Sequence, residues 1–309
     1  HRPAHHLGLE ETGGGTMSAQ NVLFDAPGPK TRRNIMVANV LGVLLILGLL
    51  WLAVSGLADK GQFEAAKWTP FLEWGTWQYY LLPGLLSTLK AAAVAVVASI
   101  AFGLLFGIGR LSPFKPISWI CGIVVEFFRA VPVLLMMVFF YQFLSKSTSA
   151  DPAQVPFLAV VIALTLYNGS VIAELVRSGV FGLPKGQREA GLAIGLTPGQ
   201  SLRSIEMPQA LVAMLPALLS QFVVILKDSA LGTFIGYTEL LEYARRLAAG
   251  EGNILPALLV TAAIFIVLNF LLTFAAQRLS RRLGARAGKL LKIEDTIEPE
   301  GIEAPAGAR

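Results

Sequence analysis

The chain is short of charge. Of its 309 residues only 15% are Asp, Glu, Lys or Arg, while 54% are hydrophobic. That leaves too little polar surface to wrap a soluble globule. Cysteine is scarcer still: Cys121 stands alone inside an apolar run, which excludes a disulfide framework and a thiolate metal cluster. Histidine is absent from Met17 onward, since His1, His5 and His6 all precede it. Ser-His-Asp and Cys-His nucleophiles and histidine-held metals are excluded with it. No GxxxxGK[ST] phosphate loop occurs either.

What is present is long apolar runs separated by short charged segments, at a mean hydropathy of +0.63. The net charge of +5 could suit nucleic acid, but the basic residues cluster beside the apolar runs, as membrane topology requires. Residues 1–16 read as vector-derived or upstream-translated sequence and are set aside. A helix needs about 20 mostly apolar residues to cross the hydrocarbon core. Six segments qualify: Ile35 to Leu57, Leu81 to Ile108, Ile117 to Leu144, Phe157 to Val180, Gln209 to Gly236 and Ile254 to Phe274. The first is too long for a cleaved signal and lacks an A-x-A-like site.

Loop charges set an orientation. Lys30, Arg32 and Arg33 precede the first span, Arg110 and Lys115 follow the second, Arg177, Lys185, Arg188 and Arg203 lie around the fourth-to-fifth connection, and Arg278 to Lys292 follow the sixth. The alternate loops are neutral to acidic, so both termini are expected in the cytoplasm. The aromatic stretch FEAAKWTPFLEWGTWQYY (Phe63 to Tyr80) suits an interfacial segment on the other side, and the acidic tail is expected to be disordered.

One cytoplasmic stretch, REAGLAIGLTPGQSLRSIEMPQAL from Arg188, keeps helical spacing despite its charges and glycines. Leu183-Pro184-Lys185-Gly186 breaks the chain, a helix runs over Gln187 to Leu196, and the chain bends near Gly195. Thr197 caps a second short helix with Pro198 at its first position and Gln200 completing a capping box; it is expected to end before Pro208. Such a hairpin is shaped to press into a groove on a partner.

The spacing Glu189-Ala190-Gly191, then Gly195, Ile205 and Pro208, resembles the EAA loop of bacterial ABC importer permeases. Gly191 stands where that family has a second alanine and Met207 where it has leucine, both read as mild changes. EFFRAVPVLLMMVFFYQF, NGSVIAELVRSGV, KGQREAG and LPALLSQFVVILKDSALGTFIG are similar to the polar amino acid branch, and their order with the start PGPKTRRN resembles actinobacterial glutamate permeases. The resemblance implies an all-α polytopic permease of about six transmembrane helices. The parts are a cytoplasmic tail (17–34), an extra N-terminal helix (35–57), an external interfacial segment (58–80), a core (81–283) with its coupling loop (186–208), and a tail (284–309). It further implies that Glu189, Ala190, Gly191, Gly195, Ile205 and Pro208 dock on a separate ATPase dimer. That ATPase hydrolyses the ATP, and this chain binds no cofactor. The remaining implied partners are a second permease subunit, identical or not, an external solute-binding protein, a polar amino acid and membrane lipid, without nucleic acid.

Ionisable and polar groups at membrane depth need partners or water. Glu126, Arg129, Asn168, Ser170, Glu174, Lys227 and Asp228 are therefore candidates for a substrate pathway. The bland alternative is self-neutralising pairs, because Glu126/Arg129 and Glu174/Arg177 repeat a Glu-x-x-Arg spacing. Pro132 can kink or unwind the third span. Gly103 and Gly107 have the spacing of a helix-packing face. The rival class is an ion-coupled secondary transporter using Glu174 and Asp228, which would have no use for a coupling hairpin.

Overall fold

A computed structural model describes residues 28–147 and 151–294, with side chains only to 146 and over 151–282. The expected upstream segment 1–16, residues 17–27 of the expected N-terminal tail and residues 295–309 of the expected C-terminal tail lie outside the described residues. Two units divide between Gly61 and Gln62. The first holds α1 (Pro29–Asp59), which starts with Pro29 in its first turn and buries none of its side chains. Its 31 residues reach about 46 Å, enough to cross an apolar layer of about 30 Å.

The second unit opens with α2 (Ala65–Trp68), a 3₁₀ turn (Thr69–Leu72), α3 (Trp74–Thr76) and a π turn (Trp77–Leu81). Then come α4 (Leu82–Arg110), α5 (Lys115–Ala130), α6 (Val133–Ser147), α7 (Val155–Phe181), α8 (Lys185–Ala193) and α9 (Pro198–Ser201). The last elements are a π turn (Leu202–Glu206), α10 (Met207–Asp228), a 3₁₀ turn (Ser229–Ile235), α11 (Leu240–Glu251) and α12 (Ile254–Glu294).

Helix α7 is the axis, and α4 packs along it in parallel. A Cβ on Gly103 would lie 2.4 Å from Ile172, and one on Gly107 would lie 2.8 Å from Val176, so glycine alone allows the two backbones this close. Nearer the start of α4 the Ser99 hydroxyl donates to the Leu164 carbonyl. Helix α10 runs antiparallel to α7: Gly179 faces Met214 at one end, and Asn168 meets Gln221 at the other.

The third expected span is not one straight helix. Helices α5 and α6 meet at a bend of 100°. Its cause is local: Val131, before Pro132, is held extended (φ −84°, ψ 127°), as proline demands of its predecessor. Because α4 and α7 are parallel, the chain must return to its starting side between them. The bent pair is thus a single crossing rather than a re-entrant loop.

Two boundaries differ from expectation. The second helix of the insert does not stop before Pro208; α9, the π turn and α10 run on as one apolar element, Pro198–Ile235. In the π turn the Met207 N–H reaches back five residues to the Leu202 carbonyl, so the ladder is already offset where Pro208 lacks a donor. Residues 284–294, assigned from sequence to a disordered tail, continue α12 as helix.

Candidate coupling loop and intramembrane charge network

The hairpin from α8 through α9 is built by backbone chemistry. Gly195 takes φ +88°, a left-handed conformation that suits glycine. Its N–H donates to the Leu192 carbonyl and that of Leu196 to the Gly191 carbonyl, a Schellman closure of α8. Thr197 and Gln200 form the reciprocal capping box. Gly191 is buried where a Cβ would stand 2.8 Å from Ser201 Oγ and 3.0 Å from Ile205 Cδ1. Ser201 cannot easily give way, since it is fully buried and donates to Glu206 Oε1 at 2.9 Å. Glycine here is therefore a packing requirement, not a mild stand-in for alanine.

The six coupling candidates divide by exposure. Gly191 faces inward and Ile205 is half-buried, making the seam between α8 and the following helix. Glu189, Ala190, Gly195 and Pro208 face out, beside an exposed Leu192 and an Ile194 that is 76% exposed. A cavity of about 600 Å³ lies between the hairpin and the ends of α4 and α7, lined by Arg110, Phe181, Lys185, Arg188 and Glu189 among others.

Above the hairpin sits a charge network. Glu174 accepts from Arg177 at 2.5 Å and from Arg110 at 2.7 Å, with Arg129 at 3.8 Å. Glu126 accepts from Arg110 at 3.1 Å and from Arg129 at 3.3 Å. Three helices thus share two carboxylates and three guanidiniums. Glu126, Arg129 and Glu174, expected on a pathway, are brought together here, and each Glu-x-x-Arg pair does neutralise itself. Arg110, which the sequence marks only as a loop charge, is the residue that joins the two pairs. Its one signal is position, as the last residue of α4.

The other pathway candidates are elsewhere. Asn168 and Ser170 are fully buried on α7. The Asn168 amide donates to the Leu164 carbonyl and its oxygen accepts from Gln221 at 2.5 Å. Ser170 Oγ is buried without a hydrogen-bond partner among the described residues. Lys227 is exposed and lines a groove of about 420 Å³ between α10 and α12, with Ser220, Thr273, Gln277 and Arg281. Its neighbour Asp228 is partly buried. Lys90, within the second span, places its ammonium 4.9 Å from the centre of the Phe157 ring.

At the opposite end α11 closes the molecule. Glu239 is fully buried and caps α11, accepting from the N–H groups of Leu241 and Glu242. Burial pushes its carboxyl up to about 7, partly opposed by those two N–H bonds. Tyr237 donates to the Ser87 carbonyl at 2.7 Å, and burial pushes its phenol up to about 12.

Comparison with known proteins decides the family. The family described as "Binding-protein-dependent transport system inner membrane component" matches residues 99–285, from within α4 through the coupling hairpin and into α12. The chain belongs to this family. It is the membrane permease subunit of an ABC importer and not an enzyme, and it crosses the membrane several times. The ion-coupled carrier is thereby removed as a rival.

The permease is 49% identical to the glutamate transport system permease protein GluD of Corynebacterium glutamicum over 249 residues, 80% of this chain and 91% of that one. It is 30% identical to the arginine transport system permease protein ArtQ of Bacillus subtilis over 204 residues, 66% of this chain and 92% of that one. A crystal structure of an amino acid ABC transporter with histidines matches with a TM-score of 0.63 at 29% identity, covering 69% of this chain and 98% of that one.

Proposed function

We propose that the permease imports a polar amino acid, glutamate or a close relative, powered through α8 by a separate ATPase dimer. The observation that carries this is the face of the hairpin: buried Gly191 and half-buried Ile205 hold α8 to its neighbour and leave Glu189, Ala190, Leu192, Ile194 and Gly195 turned outward. An exposed apolar and small-residue surface on a rigid hairpin suits a cleft on a partner. A second permease completes the pore, and an external binding protein delivers the substrate. ATP is hydrolysed by the partner, with no cofactor on this chain. The basic loops support a cytoplasmic hairpin and cytoplasmic termini.

The substrate class is supported by the 49% identity to a glutamate permease. It is also supported by the groove that contains Lys227. Positions 216 to 227 of α10 run about 16 Å along that groove. Lys227 and Arg281 both line it, and no carboxylate does among the described residues. Such a surface favours an anionic cargo. The test is uptake in liposomes reconstituted with a partner ATPase and binding protein. Saturable, ATP-dependent glutamate uptake that excess unlabelled glutamate suppresses, and arginine does not, is the expected result. Uptake of arginine in preference to glutamate would overturn the substrate class while leaving the importer intact.

A further inference from the structure

A groove of about 710 Å³ runs between the end of α4, the start of α5 and the end of α7. Arg110, Lys115, Trp119, Arg177 and Phe181 line it, together with the carboxylate of Glu126. Arg110 and Phe181 are the last residues of two parallel membrane-crossing helices, so the groove lies at the level where both leave the apolar layer. Trp119 and Phe181 are 70% and 65% exposed there, the placement of aromatic side chains at a headgroup boundary.

The charge around this groove does not balance. Glu126 and Glu174 are each already engaged by two or more guanidiniums. Arg110, Arg129 and Arg177 exceed those two carboxylates by one positive charge, and Lys115 adds a second. Lys115 is exposed, and its ammonium has no hydrogen-bond or ion-pair partner among the described residues. Arg110 and Arg177 present five N–H donors each and direct only part of them at Glu126 and Glu174. Arg177 also lies 5.4 Å from the centre of the Phe181 ring, which keeps its guanidinium beside the apolar boundary.

We propose that this groove binds the phosphodiester headgroup of an anionic glycerophospholipid from the adjoining leaflet. Lys115 and the free donors of Arg110 and Arg177 would take the phosphate, with the acyl chains running past Trp119 and Phe181. A phosphate supplies acceptors that two saturated carboxylates cannot, and basic pockets between membrane helices are suited to such headgroups. The site also couples to the machinery, because Arg110 and Phe181 line the cavity under α8 as well. Lipid held here would brace the network against the coupling hairpin.

The test is retention of lipid by the full chain purified from vesicles of mixed phosphatidylcholine and phosphatidylglycerol, read by native mass spectrometry. The chain should keep phosphatidylglycerol in preference to phosphatidylcholine. Lys115→Gln should cut that preference about tenfold, as loss of one charged hydrogen bond would, and Lys115→Arg should keep it. Lys115 is exposed and unpaired, so neither variant disturbs the fold. Equal retention of the two lipids, or a preference that survives Lys115→Gln, would overturn the proposal. Displacement of the lipid by millimolar inorganic phosphate would assign the groove to a free anion instead. Disulfide-linked dimers of a Lys115→Cys, Cys121→Ala chain would assign it to a second copy.

Discussion

Arg110 and Glu174 meet at 2.7 Å, with side chains 13% and 21% exposed, and this contact ties the end of α4 to α7. It turns two local Glu-x-x-Arg pairs into one network across three helices. Removing one partner leaves the other charge in a poorly solvated place, at a cost of about 3 kcal/mol. Glu174→Gln should therefore lower the thermal midpoint in detergent clearly. Arg110→Gln with Glu174→Gln should recover part of the loss. A single variant as stable as the parent would mean the contact carries no weight.

Arg129 is engaged by Glu126 and lies near Glu174, the contacts that a structural role requires. Glu126→Gln with Arg129→Gln leaves no unpaired charge between that pair, so uptake in reconstituted liposomes should stay near the parent rate. A loss of uptake of tenfold or more, with normal assembly, would return Arg129 to the substrate pathway.

Gly191→Ala tests the seam of the hairpin. The new Cβ would meet Ser201 Oγ at 2.8 Å, and overpacking of this kind costs about 1–3 kcal/mol. ATP hydrolysis stimulated by the binding protein should fall while membrane insertion is kept. Unchanged stimulation would show that Ser201 and Glu206 rearrange freely.

Glu239 gives a pH dependence outside the membrane spans. Its carboxyl is raised from 4.5 to about 7, so the folded chain holds that proton more tightly than the unfolded one. The stabilisation is complete below about 4.5 and is lost as pH rises through about 7. The unfolding midpoint should drift downward across that window, and Glu239→Gln should flatten the drift. An equal slope in both chains would remove Glu239 as its source.

Topology can be read with single cysteines in a Cys121→Ala background. Thr76 is buried and makes a poor probe, but Gly75 and Gly186 are exposed. In intact cells a membrane-impermeant thiol reagent should label Gly75→Cys and spare Gly186→Cys. The reverse pattern would invert the orientation.

Much of this was legible in the sequence, for identifiable reasons. The Thr197/Gln200 box, the Gly195 bend and the break before Pro132 are local effects, set by residues within a few positions. The continuity of α9 into α10 was not legible, because a proline normally signals an end and the π turn that absorbs it has no composition of its own. Arg110 was not legible either: its role depends on α4 and α7 running parallel, which Gly103 and Gly107 permit but do not announce. The same holds for Glu239, whose burial comes from α11 folding back on the start of α4.

The most direct measurement is ATP-driven uptake by Gly195 variants in liposomes containing the partner ATPase and binding protein. Gly195 has φ +88° and open space around it, so a substitution there alters backbone shape and the docking face, not core packing. Gly195→Asp should abolish uptake with the chain inserted and paired as before. Gly195→Asn, which tolerates the left-handed conformation better, should retain a measurable fraction. Uptake at the parent rate in Gly195→Asp would contradict the assignment of α8 as the element that receives the work of ATP.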